Sequence, residues 1–209
     1  MPKRTWKSTM VEMREICHNA DYVALGFIQA LFESVLCLFV FLWTPVLDHH
    51  NPPIGMVFAS IMTASRLGGY IFDVKPLPIP QSLTLGLSLA FAAVLTCGMS
   101  TEPTNEFPIA SYIAFMLFEL ASGFYFPTIL DLKRTTELDK FDHAVKTWFR
   151  VPTNLLACAG LLYLHSSTNA TGTKHLFYSC AFTLLIAVLI SVRLLMRGTA
   201  LKRNNVIGL

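Results

Sequence analysis

The chain has 209 residues, 54% of them hydrophobic and only 14% charged. Soluble globular domains carry about 25% charged residues, so this sequence has too little polar surface to coat a water-facing particle. That excludes an ordinary soluble enzyme and a disordered tail, and a net charge of +3 gives no electrostatic case for a nucleic-acid partner.

Residues 1–20 are charged throughout and do not read as a secretory signal peptide. Six apolar runs follow, at Tyr22–Leu47, Ile54–Phe72, Leu83–Met99, Pro108–Leu130, Val145–Leu164 and Leu176–Met196. A bilayer core ~30 Å thick needs about 20 apolar helical residues, so each run reads as a transmembrane helix. Prolines, asparagines and charges separate the runs, as in Asp48-His-His-Asn-Pro-Pro and in the charged stretch Asp131–His143. The expected fold is all-α, a polytopic membrane protein. A cytosolic segment at 1–20 precedes a six-helix membrane domain at 21–196, and a cytosolic tail follows at 197–209. Five cysteines, Cys17, Cys37, Cys97, Cys158 and Cys180, form no CxxC pair and no metal-ligand spacing. No zinc site or disulfide framework is expected, and four of the five sit as small hydrophobes within apolar runs.

Basic residues in the loops set the orientation. Lys3, Arg4, Lys7 and Arg14, then Lys75, then Lys133, Arg134, Lys140 and Lys146, then Arg197, Lys202 and Arg203 fall on one side. The opposite loops hold Lys174 alone. Both termini are therefore expected in the cytosol. The sequon Asn169-Ala-Thr171 lies in the fifth loop, on the exterior side, which makes Asn169 the candidate glycosylation site.

Within the runs the polar residues are informative, because a central Arg, Lys or Asp costs about 2.5–3.5 kcal/mol on insertion scales. In the first run Gln29 and Glu33 stand one turn apart on one face that Gly26, Ala30 and Cys37 keep small. A carboxylate beside an amide suits a proton or cation relay or a cavity wall; the alternative is an interhelical bond worth about 0.6 kcal/mol. In the second run Ser60, Ala64 and Gly68 form a ridge for close helix packing. Arg66 and Asp73, seven residues apart, read as a local charge network near its cytosolic end.

The fourth run carries Glu119 on a face with Tyr112, Phe115, Ser122 and Phe126, and Gly123 and Pro127 allow that helix to bend. Glu119 is open to a cavity role or a structural one. The fifth run places Arg150 and Asn154 one turn apart, with Pro152 between them interrupting the backbone ladder. A fixed fork of five donors beside a helix irregularity suits a tetrahedral oxyanion or a carboxylate. The alternatives are an ion pair with Glu33 or Glu119, or a side chain that snorkels to the cytosolic surface. No HExxH, GxSxG, P-loop or GxGxxG is present, so neither enzyme chemistry nor a cofactor site is visible.

Three of these segments resemble a known family. Phe27-Ile-Gln-Ala-Leu-Phe-Glu-Ser-Val35, running into Phe39-Val-Phe-Leu-Trp-Thr-Pro-Val-Leu47, is similar to the seventh helix of the molybdate-anion transporters of the major facilitator superfamily. Ser111–Pro127 resembles their tenth helix. Trp148-Phe-Arg-Val-Pro152, with Leu156-Ala-Cys-Ala-Gly-Leu-Leu162, resembles their eleventh.

The resemblance implies twelve helices in two six-helix halves with substrate between them, and this chain matches the second half. It supplies molybdate, a tetrahedral dianion, as the expected substrate. Arg150 and Asn154 are then the candidates for anion contact, and Gln29, Glu33 and Glu119 for the cavity wall. The expected partners are the lipid bilayer of the cell membrane and a second six-helix unit. The alternative is a non-transporting six-helix product or a regulatory partner of a full-length transporter.

Overall fold

In hydrocarbon the backbone has no water to bond, so a chain that crosses it must satisfy its own N–H and C=O groups. The computed structural model meets this with helices. It describes residues 13–14, 16–47, 53–74, 77–100, 108–136, 142–166 and 170–207, but not the side chains of 44–45, 108, 142–148, 170–171 and 198–207. Asn169, Lys3, Arg4, Lys7, Lys75 and Lys140 lie outside the described residues, as do the side chains of Lys146, Lys202 and Arg203.

Six long helices follow one another: α1 (Ala20–Leu47), α2 (Ile54–Val74), α3 (Ile79–Ser100), α4 (Pro108–Thr135), α5 (Asp142–Ser166) and α6 (Ala170–Ile207). Each contains one expected apolar run. The entry to α1 is capped by Asn19, whose Oδ1 accepts the Asp21 N–H at 3.0 Å. Pro53 and Pro78 stand just before α2 and α3, where a missing N–H costs nothing. Two helices outrun their apolar runs. α4 continues through Asp131, Lys133 and Arg134, and α6 reaches Ile207. Lys and Arg are good helix formers that favour helix C-termini, so charge alone does not end a helix.

Among the described residues five of the helices are long and apolar enough to cross a membrane, and α5 is not one of the five. Its apolar run is interrupted by Arg150, Pro152 and Asn154. The large side chains left exposed, among them Phe58, Leu155 and Phe182, form the surface expected against lipid.

The contacts fix an up-and-down traverse. Phe32 stacks on Tyr125 and Phe39 lies tilted against Phe118, both with ring centroids 3.9 Å apart, so α1 and α4 are antiparallel. Thr84 and Ser191 share a hydrogen bond of 2.7 Å between α3 and α6. An ion pair at 3.5 Å joins Asp21 to Arg197, which brings the start of α1 and the far part of α6 to one side. Around α1 lie α4, α5 and α6; α3 packs on α4 and α6; α2 packs chiefly on α4.

The closest approaches are made by glycines. A Cβ on Gly68 would run into the Leu120 carbonyl oxygen, and one on Gly123 into the Ser65 carbonyl oxygen. The ridge expected on α2 is thus one half of a reciprocal seam, with Ala64 and Gly68 buried against α4. Along it the Tyr112 hydroxyl donates to Ser60 Oγ at 2.6 Å. A second seam joins α1 to α5. Gly26 receives the Phe149 ring, the Thr153 hydroxyl reaches the Ala30 carbonyl at 3.5 Å, and Gly160 faces Leu38. These partners advance together, so α1 and α5 run parallel.

Gly123→Ala should lower the melting temperature in detergent, at a cost of about 1–3 kcal/mol for overpacking against backbone that cannot step aside. Gly55→Ala, where a Cβ would meet nothing within 4 Å, should be neutral or stabilising by about 1 kcal/mol. Equal melting temperatures for the two variants would contradict the seam.

Candidate functional site

The polar residues of α1 sit between its two packing faces. Phe32 and Phe39 meet α4, whereas Gly26 and Ala30 meet α5. Gln29 and Glu33 occupy the arc between and are half-buried. The Gln29 Nε2 donates to Glu33 Oε1 at 2.7 Å. That bond leaves Gln29 Oε1 buried with no hydrogen-bond partner among the described residues. Next to Glu33, Phe32 stacks on Tyr125 across the α1–α4 contact. Tyr125 is fully buried, and its hydroxyl likewise lacks a partner among the described residues.

Helical phase shows which side the other candidates occupy, at about 100° per residue. On α5, Arg150 and Asn154 each follow by one residue a side chain that faces α1, Phe149 and Thr153. On α1, Gln29 precedes Ala30, which faces α5, by one. For parallel helices these opposite offsets point to the same flank. On α4, Glu119 follows Phe118, which lies against Phe39, by one residue, and Glu33 follows Phe32 by one. For antiparallel helices equal offsets also point to the same flank. All five candidates therefore project from one side of a layer ordered α4, α1, α5.

Their exposure differs. Arg150 and Asn154 are exposed, whereas Glu119 is buried at 8%. Among the described residues no ion pair within 4 Å joins Arg150 to Glu33 or Glu119. Pairing across helices, one reading of Arg150 in the sequence, is not what this structure contains. Tyr112, expected on the Glu119 face, is committed to Ser60.

Arg66 and Asp73 also differ from expectation. Both line a cavity of about 430 Å³ with Ser65, Gly69, Tyr70 and Gly123. Among the described residues no ion pair joins them. Sequence reasoning missed Tyr125 and Tyr70 because each lies among apolar neighbours. Only the phase relative to Phe118 and Gly68 distinguishes them.

Residues 3–122 match a major-facilitator family model described as sugar transporters with 12 TM. The chain belongs to this family. Among curated relatives, a protein of Xenopus laevis named molybdate-anion transporter is 43% identical over 187 residues, covering 87% of this chain and 42% of the relative. Its namesake in Danio rerio is 40% identical over 207 residues, covering 93% and 43%. That of Takifugu rubripes is 41% identical over 198 residues, covering 89% and 41%. The chain thus spans well under half the length of the curated relatives it matches. No solved structure is significantly similar.

Tyr125→Phe should raise thermal stability by about 1–3 kcal/mol, because it removes a buried hydroxyl that gains nothing in return for its desolvation. The check is a melting curve of the purified protein in detergent. A lowered melting temperature would mean that the hydroxyl is satisfied.

Proposed function

We infer that this chain is part of a carrier that moves molybdate, a small oxyanion, into the cell across the cell membrane. It forms the second six-helix half, and the segment at 1–20 and the tail at 197–209 face the cytosol. The polar flank of α4, α1 and α5 faces the other six-helix unit, and substrate passes between the two. Alternating access rocks one half against the other. Arg150 and Asn154 contact the anion; Gln29, Glu33 and Glu119 complete the wall. Asn169 lies on the exterior side as a glycosylation acceptor. The protein transports and does not catalyse a covalent reaction.

The observation that carries this reading is Arg150, a guanidinium held on the polar flank with no carboxylate partner among the described residues. An unpaired arginine in a membrane-spanning bundle calls for an aqueous cavity or an anionic ligand. The matched family model speaks of sugars, but a neutral sugar does not call for such a charge, whereas a tetrahedral dianion does. The names of the relatives point the same way.

Molybdate uptake by cells expressing the full-length gene product should fall at least about tenfold with Arg150→Ala at unchanged surface expression, the scale of one lost charge-assisted contact. Elemental analysis of washed cells measures it. Uptake equal to wild type would overturn the assignment of Arg150.

A further inference from the structure

Arg66 is the charged side chain this reading leaves unused. Val57, Ile61, Ala64 and Gly68 are the buried face of α2 against α4. Arg66 stands two residues before Gly68, about 160° from that face at 100° per residue. Eight residues, or about 12 Å at 1.5 Å per residue, separate it from Val74 at the end of the helix. It has no ion pair among the described residues, and Asp73 is not its partner.

The side chain borders an open groove instead. At about 430 Å³, the space beside Arg66 holds more than ten waters at about 30 Å³ each. It therefore also admits a tetrahedral oxyanion with part of its hydration shell. Its wall offers the guanidinium and the hydroxyls of Ser65 and Tyr70, hydrogen-bond donors suited to anionic oxygens. The carboxylate of Asp73 also lines it, about 10 Å along the helix from Arg66, so an anion sits at the Arg66 end. Gly123, which closes the α4 side, is one turn from Glu119 on the same face. The cavity therefore opens on the flank that carries the other candidates. Arg150 stands at the α5 edge of the layer, with α4 and α1 between it and Arg66, so the two arginines meet the anion at separate points of its path.

We propose that Arg66, with Ser65 and Tyr70, forms a second oxyanion contact, at the α2 edge of the same polar flank. It rests on the transport reading above and adds to it a residue that the charge pattern alone assigned to a network with Asp73. The fork of Arg66 takes two anionic oxygens, and the open cavity lets the anion keep water on its remaining ones.

The test is ligand-induced thermal stabilisation of the purified full-length gene product, titrated separately with molybdate and sulfate. Arg66→Met should raise the half-saturating concentration at least about tenfold. Arg66→Lys, which keeps the charge but not the fork, should fall between the two. Neither variant should change the melting temperature without anion. A wild-type titration curve for Arg66→Met would overturn the proposal. So would loss of binding by both variants together with a lowered unliganded melting temperature, which marks a structural role. If Arg150→Ala abolishes the response and Arg66→Met does not, the transport reading stands and the Arg66 contact falls. If wild type responds to sulfate alone and Arg66→Met loses that response, the contact stands and molybdate falls as the substrate. A wild-type protein that responds to neither anion removes both.

Discussion

Hydrocarbon offers no hydrogen bond to a polar group, and every feature of this chain follows from that constraint. It forces the backbone into helices, whose ladders close within each segment. It sends Phe58, Leu155 and Phe182 outward, where a soluble protein would hide them. It also removes the hydrophobic drive for helices to associate, because lipid tails are as apolar as leucine. Association then depends on close contact. Glycine supplies it at Gly68, Gly123 and Gly26, where backbone or an aromatic ring comes nearer than any side chain would allow.

The same constraint makes the polar flank meaningful. Gln29 commits its amide N–H to Glu33, and among the described residues its carbonyl oxygen and the Tyr125 hydroxyl have no hydrogen-bond partner. Buried polar atoms are satisfied in the great majority of cases, so two exceptions beside one carboxylate mark a polar cluster built for more than packing. Arg150 and Asn154 lie on the same flank but are exposed. On this flank Arg150 and Asn154, with Pro152 between them, interrupt the apolar run of α5.

Much of this was legible in the sequence. Hydropathy located all six helices, since a run of about 20 apolar residues has few other uses. Spacing put Gln29 with Glu33, and Arg150 with Asn154, on shared faces. It also found the ridge Ser60, Ala64, Gly68. Spacing gives the phase of a residue on its own helix but not the partner that the phase meets, so the order α2, α4, α1, α5 was hidden. That order separates a cavity residue from a packing one. Arg66 and Asp73 share a face and still do not pair among the described residues, and Tyr112, on the Glu119 face, bonds Ser60 of α2. Helix ends were misjudged where charges followed an apolar run, as at Lys133 and Arg134, because lysine and arginine continue a helix readily.

The two kinds of seam differ in compliance. Between α2 and α4, glycine and carbonyl interlock in both directions, and sliding would drive backbone into backbone. Between α1 and α4 the contact is made by aromatic rings, Phe32 stacked on Tyr125 and Phe39 tilted against Phe115 and Phe118. Stacked rings shift past one another by a few tenths of an ångström with little change in dispersion energy. Stiffness is therefore uneven across the layer: α2 with α4 forms one stiff leaf, and α1 with α5, locked at Gly26, forms another. The most easily sheared joint lies between these leaves, along the line where Phe32 meets Tyr125.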